Sequence, residues 1–210
     1  MKLGATFRLF LYLLFVVIAG TLFFIWNDLQ EVRRVLARAE GPVPPLVTAS
    51  IVAAEDPGFF QHSRFYTGPS LDHQLVGWHV QERGFTQPLR EVVISAIVEF
   101  TQSKETVANA YATNVYLGTA EGEPLHGVER AAHAYFGVDW KELLPEQAAS
   151  LAATIRSPTL FSPSASSERA VSRRLEILQG MLRAGAITQA HFDHARDSKV
   201  TRGIGGAVLK

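Results

Sequence analysis

The strongest constraint lies near the amino terminus, where no charged side chain occurs from Leu9 to Trp26. As an α-helix this run extends about 27 Å, at about 1.5 Å per residue, close to the hydrocarbon thickness of a bilayer. It predicts a retained membrane anchor. Thr6 and Phe7 can lengthen it, Lys2 and Arg8 precede it, and Trp26 and Asn27 suit an interface at its far end. The rival reading is a cleaved signal peptide, but no small-x-small cleavage site follows and the run is long for one. Arg33, Arg34 and Arg38 beyond the span blur the basic bias that sets direction.

Composition narrows the rest by exclusion. The 210 residues suit one domain of ordinary size plus an appendage. Lys and Arg (20) balance Asp and Glu (20), so the electrostatic footprint of a nucleic-acid binder is missing. With 0 Cys there is no disulfide framework, thiolate zinc site or Cys nucleophile.

Punctuation by Pro, Gly and capping residues divides the chain. Residues 1–27 form the expected anchor and 28–45 a short linker helix with a Pro-rich break; 46–197 form one domain and 198–210 a loose, Gly-rich tail. Within the domain, 59–87 reads as loop with short helical pieces. Pro88 suits the first turn of an apolar helix from Leu89 to Phe100, and Ser103 caps a helix from Lys104 to about Thr113. Gly137 ends a helix from Gly127, and Pro145 opens a helix of small residues. Ser166 or Ser167 starts a helix with Val171, Leu175, Leu178 and Leu182 on one stripe and Gly185 as its stop. Thr188 starts the last helix. The only strand pattern runs from Thr113 to Leu117, so the expected class is mainly α.

Glu55 and Asp56 end an apolar stretch and are followed by Phe59, Phe60 and His62. Apolar surroundings disfavour the charged form of a carboxylate and raise its pKa, which suits a general acid or base. Taken alone, such a pair is more often a helix cap or a solvated turn.

The run Glu55-Asp56-Pro57-Gly58-Phe59-Phe60-Gln61-His62 resembles the E-D-x-x-F-x-x-H motif of the peptidoglycan glycosyltransferases, glycosyltransferase family 51. Further blocks follow in the family's order. Gly68-Pro69-Ser70-Leu71-Asp72-His73-Gln74-Leu75-Val76 is similar to G-S-T-[IL]-T-Q-Q-L-V. Arg90-Glu91 and its helix resemble R-K-x-x-E. Ser103-Lys104-Glu105 to Tyr111, then Val115-Tyr116-Leu117-Gly118, resemble S-K-x-x-I-L-x-x-Y-L-N-x-[IV]-Y-[FL]-G. Gly127 to Ala132, Tyr135-Phe136-Gly137, Leu144 to Ala149 and Ser157-Pro158 resemble the carboxy-terminal block.

The resemblance implies a mainly α, lysozyme-like fold with two lobes around a cleft beside the membrane. It implies lipid II and the growing glycan chain as substrates, the lipid bilayer as a partner, and a transpeptidase or other cell-wall synthesis proteins as associates. The catalytic domain is then expected on the outer face of the cytoplasmic membrane. In the family's reaction a sugar 4-hydroxyl attacks the anomeric carbon of the growing chain, and an α-linked undecaprenyl pyrophosphate leaves as a β bond forms. Glu55 falls on the general base and Glu91 on the second catalytic carboxylate, which assists the pyrophosphate, with Mg or Mn as an optional cation at Glu91. Phe59, His62, Ser70, Gln74, Arg90 and Lys104 fall on positions that shape the cleft or hold substrate. His62 has an equal claim as a packing and hydrogen-bonding residue beneath the Glu55 loop.

Several positions depart from the family pattern. Arg64 replaces the Gly that closes the first motif; Pro69, Asp72 and His73 replace Ser, Thr and Gln; and Thr113 stands in the place of Asn. Gln87 and Pro88 occupy the places of the Arg-Lys pair, and loss of two charged contacts to phosphate costs several kcal/mol at roughly 1.5–3 each. Arg83 and Arg90 are the candidates to compensate. Phe65, Tyr66, Trp78 and Phe85 are either a reduced membrane-dipping segment or core. The alternatives are therefore a degenerate relative that binds lipid II or wall-building proteins without catalysis, and a lysozyme-like hydrolase. His191 and His194 on one helix read as a surface face rather than a metal site, and His133 as packing.

Overall fold

The structure, a computed structural model, describes residues 4–39, 41–62, 68, 70–80, 85–120, 122–165, 167–198 and 200. Expectations for Arg64, Phe65, Tyr66, Pro69, Arg83 and all but Ser198 and Val200 of the tail lie outside them. The described chain is mainly α, as expected. Helix α1 (Ala5–Arg38) is long and apolar enough to cross a membrane by length and composition, and its first half is exposed along its length. No break separates it from the expected linker helix. Nothing between Trp26 and Arg38 interrupts helical propensity, and Leu29, Val32, Val35 and Leu36 are buried in the main core. The stretch expected as a linker is therefore packed as part of the globular region.

Helix α2 (Pro45–Glu55) follows the Pro-rich turn, then α3 (Leu71–His79), α4 (Gln87–Thr101) and α5 (Lys104–Asn114). A two-stranded antiparallel sheet, β1 (Tyr116–Ala120) with β2 (Glu123–His126), precedes α6 (Val128–Phe136) and a 3-10 turn at Trp140–Glu142. Helices α7 (Pro145–Arg156), α8 (Pro158–Phe161), α9 (Glu168–Arg183) and α10 (Gln189–Asp197) complete the fold. The caps match the sequence: Ser103, Ser167 and Thr188 accept from backbone N–H groups at the starts of α5, α9 and α10. Gly137 and Gly185, both at φ 71, follow α6 and α9.

Two expectations are displaced. The strand begins at Tyr116 rather than Thr113, because the Thr113 and Asn114 side chains donate to carbonyls one turn back and keep α5 helical. The buried stripe of α9 is Ala170, Ile177, Leu178 and Met181, with Val171, Leu175 and Leu182 only half-buried. This rotation brings Gly180 against α2, where a Cβ would lie 2.9 Å from the Ala53 Cβ.

Two hydrophobic clusters form the lobes. One gathers α1, α3, α4, α5 and α6; the other gathers α7, α9 and α10. Helix α2 runs between them, with Val47 and Ile51 in the first cluster and Ala53 and Ala54 against the second. Its carboxyl end, Glu55, therefore emerges where the lobes meet.

A buried ion pair ties α1 to α4. Arg90 has 0% exposure and its guanidinium donates to Asp28, while its Cζ sits 5.5 Å from the Phe24 ring centroid. A buried charge robbed of its partner typically costs about 3–5 kcal/mol. Asp28→Leu alone is expected to lower stability by about that amount. Asp28→Leu with Arg90→Met is expected to recover most of it, read by thermal unfolding of both variants in detergent.

Candidate functional site

The acidic end of α2 is built by four helices. Glu55 ends α2, and the Gln74 side chain of α3 favours its ionised form. Tyr111 of α5 donates its hydroxyl to Gln74 Oε1 at 2.8 Å, and its ring lies 4.8 Å from that of Trp78. Arg173 of α9 donates to the Ala54 carbonyl at 2.7 Å, clamping the last turn of α2, and it faces Glu55 together with Arg156 of α7. Burial nonetheless raises the Glu55 carboxyl above its ordinary value; Arg173, Gln74 and Arg156 only offset part of it. This is the poise the sequence suggested for a carboxylate on apolar surface.

Asp56 turns the other way. His62 Nε2 lies 3.5 Å from Asp56 Oδ1, and the Gly58 backbone also favours the ionised form of Asp56. A Cβ at Gly58 would overlap the His62 ring, so only glycine lets the loop close over that pair. Burial raises the Asp56 carboxyl; His62, Gly58 and Lys104 oppose that effect and Asp72 adds to it. His62, its side chain 16% exposed, packs beside Asp56 here.

Lys104 is a partly open cation of the site. Its Nζ lies 3.8 Å from Glu99 Oε1 and 4.6 Å from the Phe59 ring centroid, with its side chain 25% exposed. Glu91, on α4, accepts from Gln87 Nε2 at 2.9 Å. Gln87, in the place of the family's Arg, thus touches the second carboxylate rather than leaving a gap.

Three of the expected substrate positions are buried. Arg90 is enclosed and paired with Asp28. Phe59 is wholly buried and serves as the ring on which Lys104 rests. Ser70 is buried as well, its hydroxyl donating to Asp72. Gln74 is half-buried and the Lys104 side chain is 25% exposed. Trp78 and Phe85 are exposed, at 44% and 85%, and so are not core. His191 and His194 lie on an exposed helix face, as expected. His133 is exposed rather than packed, within 4.8 Å of ligand atoms on Glu129 and Asp139.

Sequence reasoning missed Tyr111, Arg173 and Arg156 around Glu55. Tyr111 had a signal, since it closes the block that begins at Ser103. The two arginines had none, because α7 and α9 reach Glu55 only through tertiary packing.

The sequence is similar to those of known proteins. The transglycosylase family model matches residues 67–182. Penicillin-binding protein 1B of Vibrio cholerae is 26% identical over 190 residues, covering 80% of this chain and 24% of that protein. Penicillin-binding protein 1A of Aquifex aeolicus is 29% identical over 180 residues (76% and 24%), and that of Escherichia coli 27% over 179 residues (75% and 21%). The chain therefore spans about a quarter of the length of these relatives.

The raised Glu55 carboxyl has a consequence for stability. The folded chain holds this proton more tightly than the unfolded one. Stability therefore falls as pH rises from the ordinary carboxyl value, 4.5, through the raised one. Glu55→Gln is expected to melt at a higher temperature than the native chain at neutral pH, with the gain shrinking below pH of about 4.5. Thermal scans at the two pH values check this.

Proposed function

Because the chain belongs to the transglycosylase family, we propose that it is a membrane-anchored peptidoglycan glycosyltransferase that polymerises lipid II and releases undecaprenyl pyrophosphate. The observation that carries this reading is Glu55: a carboxylate at a lobe junction, raised by burial and faced by Arg173 and Arg156. A base must take a proton from a hydroxyl at working pH, and a raised carboxyl is better matched to that than an ordinary one. Glu55 would accept the proton of the incoming sugar 4-hydroxyl as that oxygen attacks the anomeric carbon. Attack from the face opposite the leaving group inverts the centre.

Pyrophosphate leaves with growing negative charge, and Lys104 and the exposed Arg156 are cations of the site that can meet it. Glu91 alone repels phosphate. Among the described residues it belongs to no trio of metal-ligating side chains. One carboxylate plus phosphate oxygens is nevertheless a donor set that suits Mg²⁺. Glu91 is the residue that would hold such an ion, whose chemistry there is charge neutralisation. The α1 helix supports anchorage, which keeps the enzyme at high effective concentration with a lipid-borne substrate. In this reading the domain lies on the outer face of the cytoplasmic membrane, beside transpeptidases that cross-link the product.

A second reading is favoured by one observation. The basic pair of the third motif is absent, and Arg90, its expected substitute, is buried. A chain that binds lipid II without polymerising it fits that loss.

Purified chain in detergent, given labelled lipid II and Mg²⁺, is expected to yield glycan polymer. Glu55→Gln and Glu91→Gln should each reduce the rate by about 100-fold or more. No polymer with lipid II binding intact supports the second reading. Release of soluble fragments from finished peptidoglycan supports a hydrolase.

A further inference from the structure

We propose that Glu129, His133 and Asp139 form a binding site for a divalent transition-metal ion of the Zn²⁺ class, which pins the turn after α6 to that helix. One ligand atom from each side chain, an imidazole nitrogen and two carboxylate oxygens, lies within 4.8 Å of the other two. Bonds of about 2.0–2.2 Å to a tetrahedral ion set ligand atoms about 3.3–3.6 Å apart. Small rotations of the exposed Glu129 and His133 side chains close that gap.

The fold assembles the trio from two backbone segments. Helix α6 buries Val128, Ala131, Ala132 and Phe136, which leaves Glu129 and His133 on its open face. Residues four apart on a helix stand one above the other. Gly137, at φ 71, then reverses the chain, and Asp139 returns to the same face. An ion is not needed to place Asp139. Its Oδ1 accepts from the Lys141 N–H at 2.8 Å, and the adjoining Trp140 is buried in the main hydrophobic cluster.

The donor set points to the ion. Among the described residues none of the three is paired with a Lys or Arg, so two carboxylates stand together without a cation. The imidazole favours Zn²⁺ and its neighbours in the transition series, whereas Mg²⁺ calls for near-octahedral oxygen. Three protein ligands leave a fourth position for water. None of the trio is among the groups acting on Glu55 or bonded to Glu91, so the site does not rest on the glycosyltransferase reading.

The test is titration of the full chain in detergent, freed of metal by a chelator and then dialysed, with Zn²⁺ alone. Calorimetry is expected to show one Zn²⁺ bound at this site. His133→Ala should weaken it about 100-fold, and Glu129→Gln and Asp139→Asn about tenfold each. Asn caps the turn as Asp does, so Asp139→Asn removes a ligand without removing the cap. Free Zn²⁺ at about 100 times its Kd should shift the unfolding equilibrium about 100-fold toward the folded native chain. The same concentration of Mg²⁺ should not. Hydrogen exchange at residues 137–140 should slow with Zn²⁺ in the native chain alone. His191 and His194 on α10 are the rival ligands, and His194→Ala should leave binding intact.

Metal-free melting temperatures show whether each variant folds; if His133→Ala does not, Asp139→Asn decides. No Zn²⁺ bound by the native chain, uptake unchanged in His133→Ala, or uptake lost in His194→Ala overturns the site. Equal stabilisation by Mg²⁺ overturns the class of ion. Binding without slower exchange at residues 137–140 overturns the pinning.

Discussion

A guanidinium with no exposure to solvent is tolerable only when paired, and the pairing of Arg90 with Asp28 organises much of this fold. Asp28 stands two residues beyond Trp26, where the apolar span ends. The pair therefore fastens the globular region to the helix at the point where that helix leaves its apolar stretch. It also sets the rotation of α4. Successive residues of a helix point about 100° apart, so fixing Arg90 inward toward α1 turns Glu91 to a different face. The neutral Gln87 then has room to hold Glu91.

The second organising contact is α2 against α9. Small residues at Ala53 and Gly180 bring the helices close, and Arg173 reaches the Ala54 carbonyl as a result. Helix α2 is thereby held by both hydrophobic clusters, and its acidic end is fixed from α3, α7 and α9. Two neighbouring carboxylates acquire different surroundings. Glu55 faces an amide and two arginines, whereas Asp56 faces His62 and the Gly58 backbone. Adjacent residues of similar chemistry thereby acquire different electrostatic surroundings.

What the sequence disclosed follows from where the information is local. Pro88, Ser103, Gly137, Pro145, Ser167, Gly185 and Thr188 act within a turn or two of themselves, and the helices they bound are where the punctuation put them. Glu55 was picked out by its place in the E-D-x-x-F-x-x-H run, since an acidic pair after an apolar stretch is by itself more often a cap or a turn. The burial of Arg90 was not legible, since its partner Asp28 comes from α1, far away in sequence. The burial of Phe59 and Ser70 was hidden for the same reason: motif position says nothing about burial. The unbroken α1 was missed because the change from lipid-facing to core-facing surface occurs without any helix-breaking residue.

In the proposed reaction a hydroxyl that Glu55 deprotonates displaces the pyrophosphate directly at the sugar. The anomeric configuration of the bond it makes tests this most directly. Nuclear magnetic resonance of the glycan formed from an α-linked pyrophosphate donor should show only β linkages. An α-linked product would contradict single-displacement chemistry at this site.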